Sequence, residues 1–474
     1  MQKNYSKVLI NVLKVIKPTK HQSEKLHTLS KKSLEVANKE AKKYKARAII
    51  AGSLPRNTWL AEKNEYDIFV IFPKTISTKQ LEEFGLKIGK SVIKQLGGKW
   101  LVEYAQHPYI HGTVKGAEID VVPCYDIKPE EKIISAVDRT PLHVKYLNDN
   151  FPNNLTDDVR LLKQFLKANG IYGADAKTEG FSGYLCELLA IKHGNFVNIL
   201  KTAADWKPHY IIDIKNHWKK EDYKHLKHKF KNEILIVIDP VDKNRNVASP
   251  VSYYSFYKFK KAATEFLKNP NEKLFFSREA KPLSSQEFEK IMKTRETELL
   301  AVTFKPPKVV PDILWPQLRK TNKRLESILK EYEFSTLRSE SWCDQKDLAV
   351  ILLEMQVSCL PPINKNIGPW IFDEKNAINF ARKHKNDAIV GPFIEDKFWV
   401  VETKRKWVSA KEKLIDTLKE KEKTLVAKGI PNYIAAQVSK NFKVLEQKEI
   451  KKLLKNKLFA EFLRKYFEKE KLIS

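Results

Sequence analysis

Glu65 and Asp67 stand two residues apart in the run Glu65-Tyr66-Asp67-Ile68-Phe69-Val70, and Asp120 sits in a run of similar design, Glu118-Ile119-Asp120-Val121-Val122. Alternate residues of a strand share a face, so Glu65 and Asp67 point the same way. The apolar residues behind each acidic pair take both strands into a core and leave the carboxylates at its mouth. Carboxylates gathered at a sheet edge repel one another unless a cation holds them. Hard oxygen ligands of this kind suit Mg²⁺, which stays partly hydrated and is completed by substrate phosphates. Asp120 is preferred to Glu118 as the third ligand because it lies deeper against Val121 and Val122, with Glu118 an open candidate beside it. About a dozen residues before the acidic pair stands Gly52-Ser53. There the glycine allows a tight turn, and a helix beginning near Pro55 would offer its N-terminus to an anion. Ser53 can donate to a phosphate oxygen, and Arg56, one helical turn on, can reach the same group. Together these parts predict metal-dependent nucleotidyl transfer.

The elements that must hold these residues follow from periodicity. The segment through Tyr44 predicts a helix with Ser23 as N-cap. Strands are expected over 46–51, 66–72, 100–106, 111–115 and 117–122, with a Lys115-Gly116 hairpin turn between the last two. An amphipathic helix carries Leu81, Phe84, Ile88, Val92 and Leu96. Gly85-Leu86-Lys87-Ile88-Gly89-Lys90-Ser91 imitates a phosphate loop, but it has three residues between its glycines where that motif needs four, and it lies within this helix. Helices follow at 157–171 and 181–193, and helical character runs on to Lys268, broken by a strand at 234–238. From 299 the order is strand-helix-strand twice over, the order of a ferredoxin-like sandwich, and Lys-rich helix returns after 406. The fold class is therefore α+β and multidomain. The expected divisions are a catalytic head at 1–145, a mostly helical central domain at 146–270, a ferredoxin-like tail at 271–402, and a Lys-rich helical segment at 403–474 packing with the central body.

Charge names the class of partner. Among 474 residues, 87 Lys and Arg face 58 Asp and Glu, a net charge of +29. An excess that large implies an anionic partner, most simply nucleic acid, with a membrane surface as the competitor. No apolar run approaches the ~20 residues of a membrane span, and Met1–Lys20 lacks the apolar core and cleavage site of a signal peptide. Cys124, Cys186, Cys343 and Cys359 are far apart with no Cys-x-x-Cys pair, which speaks against structural zinc of that type and fits reduced thiols in a cytoplasm.

The chain resembles the archaeal, class I CCA-adding enzymes, tRNA nucleotidyltransferases of the DNA polymerase β superfamily. The resemblance lies in Gly52 to Leu60, Glu65 to Phe69, His107-Pro108-Tyr109, Glu118 to Tyr125 and Ser135 to Pro141. It continues through Arg160 to Gly173, Gly180 to Leu188, and Asp239-Pro240-Val241-Asp242 with Arg245-Asn246-Val247-Ala248. Weaker similarity extends to Tyr332–Arg338 and Gly391–Phe393. Leu54-Pro55 departs from the usual residues, and the chain runs longer at its end than is typical. The resemblance implies a polymerase β-like head. It implies that Glu65, Asp67 and Asp120 bind Mg²⁺ and that Ser53 and Arg56 contact the triphosphate. Further nucleotide contacts are implied for His143, Lys163 and Tyr172, with Thr140 near the same pocket and Arg245 beside the incoming base. It also implies addition and repair of the 3′ CCA end of tRNA from CTP and ATP, and a homodimer. A poly(A)-type polymerase and an inactive RNA-binding protein of the same fold are the alternatives.

Overall fold

The computed structural model describes residues 5–104, 106–129, 131, 133–276 and 281–469, in which α-helices and β-strands form two compact units that part between residues 276 and 281. The first unit opens with α1 (Tyr5–Ile16) and α2 (Lys20–Lys42), two helices where the sequence predicts one. The break falls at Lys17-Pro18-Thr19, because proline cannot continue a helix and Thr19 caps the next one in a capping box with Gln22. Ser23 is therefore not the N-cap.

Strands β1 (Arg47–Ala51), β2 (Glu65–Phe72), β3 (Lys99–Tyr104), β4 (Pro108–Val114) and β5 (Ala117–Tyr125) form one sheet in the order β1-β2-β5-β4-β3. The β2–β5 pair is parallel and the other pairs are antiparallel. Helix α3 (Thr78–Gln95) crosses between β2 and β3 and packs with α2 on one face. Tyr66, Ile68, Val70 and Phe72 of β2 join Ile119 and Val121 of β5 in the core beneath these helices. By alternation, Glu65, Asp67 and Phe69, with Glu118, Asp120 and Val122, belong to the opposite face. That face meets α4 (Arg139–Asn150), whose Val144 is buried with Phe69, Ile71 and Cys124.

Helices α5 (Thr156–Ala168), α6 (Gly183–His193), α7 (Phe196–Asp205), α8 (Tyr223–Lys229) and α9 (Tyr253–Lys268) follow. With them come strands β6 (Tyr210–Asp213), β7 (Leu235–Asp239) and β8 (Asp242–Asn246), a three-stranded sheet where the sequence predicts one strand. A second core forms here around Phe165, Phe196, Phe266 and Phe275, whose rings meet mostly edge-on. Val12 and Ile16 of α1 are buried in this core rather than beneath the first sheet, so the expected boundary at residue 145 does not describe α1.

The second unit begins with α10 (Ser285–Arg295), β9 (Glu298–Phe304), α11 (Pro311–Glu331), β10 (Ser335–Cys343) and β11 (Ala349–Val357). It continues with β12 (Ile363–Trp370), α12 (Glu374–Lys383), β13 (Ala388–Glu395) and β14 (Phe398–Lys404), then α13 (Ala410–Leu418), α14 (Glu422–Ala427), α15 (Asn432–Val438), β15 (Lys443–Leu445), α16 (Gln447–Leu453) and α17 (Lys457–Phe467). The main sheet has the order β10-β11-β9-β15 and is antiparallel throughout. That is the strand order of a ferredoxin-like sandwich, but its last strand is β15 and not the region around 393–402. Strands β12, β14 and β13 pair only with one another, so residues 363–404 form an insertion. Because β15 completes the tail sheet, and Phe459, Leu463 and Tyr466 of α17 share a core with Leu299, Trp342 and Leu352, the expected boundary at 402/403 is corrected. The C-terminal segment is part of the tail. Periodicity marks strands and helices but does not say which strand pairs with which.

One buried polar group fixes α17 to this sheet. Glu354 of β11 is fully buried, accepting from Arg295 Nε at 2.5 Å, Thr297 Oγ1 at 2.8 Å and Tyr466 OH at 3.0 Å, with Arg338 Nη2 at 3.2 Å. Burial alone would raise its pKa, but these donors hold it below the ordinary carboxylate range. Glu354→Ala leaves two part-buried arginines without their anion, and is expected to cost about 3 kcal/mol in a urea titration. A loss under about 1 kcal/mol would show that solvent already satisfies them.

Candidate active site

The first unit contains a cleft of ≈ 520 Å³ at the mouth of β2 and β5, walled by α4, α5 and α6. It is lined by Ser53, Arg56, Glu65, Asp67, Asp120, Thr140, His143, Lys163 and Tyr172. Nine of the ten residues expected from the sequence thus share one cavity whose size suits a small-molecule ligand.

The carboxylates are placed by parallel pairing. Asp67 stands opposite Asp120 and Glu65 opposite Glu118, so two neighbouring strands carry four acidic groups on one face. Glu118 also lines the cleft, and so stays a candidate beside Asp120. Burial, and then the charges of Asp120 and Glu65, push Asp67 up to about 7. Burial likewise raises Asp120, against the opposing effect of a hydrogen bond from His111. A proton held this high marks a place where a cation would be welcome, which is the fit test for a divalent metal. Among the described residues, no three Asp, Glu, His or Cys side chains already converge as an ion cage. Mg²⁺ does not ask for one, since it uses one or two carboxylates together with water and phosphate. Glu65 meanwhile binds its neighbour Lys63, whose Nζ lies 3.0 Å from both carboxylate oxygens.

The sequence reading passed over His111. Its Nδ1 lies 2.7 Å from Asp120 Oδ1, because β4 and β5 form a hairpin in which both residues are four positions from the Lys115-Gly116 turn. The two-residue turn was the available signal. Despite the opposing effect of burial, this bond raises the His111 pKa, so the imidazole and the carboxylate favour each other's charged form. His111→Gln keeps a polar contact but removes the charge, and Asp120 then holds its proton to higher pH. The acid limb of a kcat/KM profile is expected to move upward, with the rate near pH 7 falling about tenfold. An unchanged limb would remove His111 from the site.

The cations Arg56 and Lys163 line the same cleft. Residues 53–58 form hydrogen-bonded turns, with Asn57 N donating to Leu54 O and Thr58 N to Ser53 O, and not the expected helix start. A helix N-terminus at Pro55 therefore plays no part here; the first turn of α4, with Thr140, and that of α6, with Gly183 and Tyr184, face the cleft instead. Arg56 Nη2 donates to Gly52 O at 2.5 Å and to Glu187 Oε2 at 3.1 Å, while Nε and Nη1 are buried with no partner. Buried donors of this kind are costly to leave unpaired. Lys163 Nζ donates to Thr58 O at 3.0 Å and Thr58 Oγ1 at 3.1 Å. A Cβ on Gly183 would stand 3.3 Å from Tyr172 OH and 3.7 Å from Lys163 Nζ, so both side chains converge on the α6 backbone. Glu187, which the sequence reading also missed, takes the Thr58 hydroxyl at 2.6 Å.

The far wall is aromatic. His143 and Tyr184 stack at 4.1 Å, and Asp239 fixes both, bonding His143 Nε2 at 2.9 Å and Tyr184 OH at 3.1 Å. Arg245 Nη1 reaches the same carboxylate at 2.7 Å. Burial would raise the Asp239 pKa, but His143 and Arg245 outweigh it and hold it at about 2. Arg245, alone of the expected residues, does not line the cleft and connects to it through Asp239.

Paired carboxylates on adjacent parallel strands, lining one cleft with an arginine and a lysine, define a nucleotidyltransferase, and the family model described as a nucleotidyltransferase domain matches residues 31–143. Those described as tRNA nucleotidyltransferase, second domain, and CCA-adding enzyme, C-terminal domain, match residues 157–276 and 295–447. The CCA-adding enzyme of Methanocaldococcus jannaschii is 43% identical over 80% of this chain and 84% of its own. Those of Methanoregula boonei and Methanosarcina acetivorans are each 35% identical, over 91% and 96% of this chain and 89% and 97% of their own. The chain belongs to the CCA-adding enzyme family.

Proposed function

We propose that this chain adds C, C and A to the 3′ end of tRNA from CTP and ATP, without a template, and restores damaged ends by the same reaction. The observation that carries the reading is the Asp67–Asp120 pair lining one cleft together with Arg56 and Lys163. The RNA 3′-hydroxyl attacks the α-phosphorus, the new O3′–P bond replaces the bond to pyrophosphate, and pyrophosphate leaves. Glu65, Asp67 and Asp120 would hold Mg²⁺, which supplies activation of the hydroxyl and neutralisation of phosphate charge when bound. Ser53, Arg56, Lys163 and Tyr172 hold and orient the triphosphate, with Thr140 at the edge of the same site. His143 offers a ring to the base, and Arg245 sets the polarity of that wall through Asp239. Positioning and electrostatics carry most of such a reaction.

In this reading the sheet β1–β5 with its carboxylates performs the chemistry, helices α5 and α6 supply Lys163 and Glu187 to it, and the second unit grips the tRNA acceptor arm. Its basic excess would follow the RNA backbone and shape, as duplex RNA requires. No described helix is long and apolar enough to cross a membrane; a cytoplasmic homodimer completes the proposal. The test is incubation with tRNA lacking its end and labelled CTP and ATP. Growth that stops after CCA supports the reading. Open-ended tails from ATP alone would indicate a poly(A)-type polymerase, and Mg²⁺-independent RNA binding without elongation an inactive member of the fold.

A further inference from the structure

Glu187 is an unusual residue to find where a triphosphate is to bind, since a carboxylate there repels the ligand. Its side chain on α6 is 3% exposed, and each oxygen is turned onto a donor. Oε2 takes Arg56 Nη2 at 3.1 Å and Oε1 takes Thr58 Oγ1 at 2.6 Å, with Lys163 Nζ at 4.0 Å. Three separate stretches, the 53–58 turns, α5 and α6, therefore meet at one buried anion.

We propose that Glu187 is a positioning residue of the triphosphate site, whose carboxylate holds Arg56 and Lys163 aimed into the cleft before a nucleotide arrives. Without it, two buried cations would stand side by side with Arg160 near them, an arrangement that is costly unless an anion is present. The carboxylate supplies that anion in the free protein. Nη2 is the Arg56 atom that it and Gly52 O hold, while Nε and Nη1 are buried without a protein partner. Because the contact is to the triphosphate end, Glu187 serves CTP and ATP alike and takes no part in base choice.

The groups facing Lys163 give the test its direction. Burial lowers its pKa, Glu187 and Cys186 on α6 raise it, and Arg56 on the turn and Arg160 on α5 lower it again. Removing the Glu187 charge lets Lys163 lose its proton at lower pH, and a neutral amine no longer attracts phosphate.

The proposal rests on the triphosphate reading of the cleft, and is tested by isothermal titration of CTP and of ATP, each with Mg²⁺ and without RNA. Glu187→Gln keeps size and removes charge. Its affinity for both nucleotides is expected to fall by about tenfold, and the deficit relative to wild type to widen as pH is raised toward the ordinary lysine range. KM for both nucleotides should follow, and KM for tRNA should stay unchanged. Adding Lys163→Arg, which does not titrate in this range, should abolish the pH dependence. A profile parallel to wild type, or a loss confined to one nucleotide, overturns the proposal. If Glu187→Gln does not fold, Glu187→Asp withdraws the carboxylate by one methylene and is read in the same way, with a smaller shift. A protein that binds CTP but does not extend tRNA would defeat the CCA reading and leave this inference standing.

Discussion

Asp67→Asn is expected to abolish nucleotide incorporation while making the metal-free protein more stable at pH 8. Asp67 sits opposite Asp120 in parallel register and beside Glu65 on its own strand. An amide is a poor ligand for Mg²⁺ and carries no charge, so the incorporation rate should fall by about a thousandfold or more. Stability moves the other way because the Asp67 pKa is raised to about 7 by burial and by the charges of Asp120 and Glu65. A carboxyl whose pKa is higher folded than unfolded favours the fold while protonated. That contribution is complete below about pH 4 and is lost as pH rises through about 7. At pH 8 the wild type holds an ionised group against its neighbours, whereas the asparagine variant does not. Thermal melts in chelator should place the variant about 3 °C or more above wild type at pH 8 and level with it near pH 4. Saturating Mg²⁺ should close the gap by stabilising only the wild type. A variant that keeps a tenth of the wild-type rate, or melts lower at pH 8, would overturn the proposed role of Asp67 in holding Mg²⁺.

Gly52→Ala is the second large effect. Gly52 has φ +74°, and a Cβ there would lie 2.6 Å from Asp67 Oδ2. The left-handed backbone costs a residue with a side chain about 1–2 kcal/mol. The contact does more, because it pushes the Asp67 carboxylate from its place opposite Asp120. Displacing a reacting group by about 1 Å costs around a hundredfold in rate. Gly116 separates the two causes. It has φ +80° at the β4–β5 turn, with nothing within 4 Å of the same added atom. Gly116→Ala should thus lose similar stability but keep most of its activity, measured as CMP incorporation at saturating tRNA. Equal activity losses in the two variants would assign the Gly52 effect to backbone strain alone.

Much of this site was legible before any coordinates. Glu65, Asp67 and Asp120 declared themselves by acidic residues at strand spacing in front of apolar runs, and Gly52-Ser53 by its place ahead of them. What failed was local. Pro55 suggested a helix start, but residues 53–58 close on themselves in turns, so Arg56 reaches the cleft from a turn and not from a helix face. His111 was hidden because a histidine in a strand carries no sign of what stands across from it. Glu187 was hidden inside the apolar helix Gly183–His193, where a single acid reads as a surface position. In the tail, the ferredoxin-like order was recognised, but its last strand was placed some 40 residues too early, across an insertion.

The division follows from what a chain encodes locally. Alternation along a strand decides which side chains share a face, so the acidic faces of β2 and β5 were settled by the sequence alone. Which strands lie side by side is a long-range choice made by the packing of α2 and α3 on one face and α4 on the other. Only that choice brings Asp67 to Asp120 in parallel and Asp239 to His143. Buried charges depend on it most. Arg56, Lys163 and Glu187 are distant in sequence, and each is tolerable inside the protein only because tertiary structure sets it beside the others.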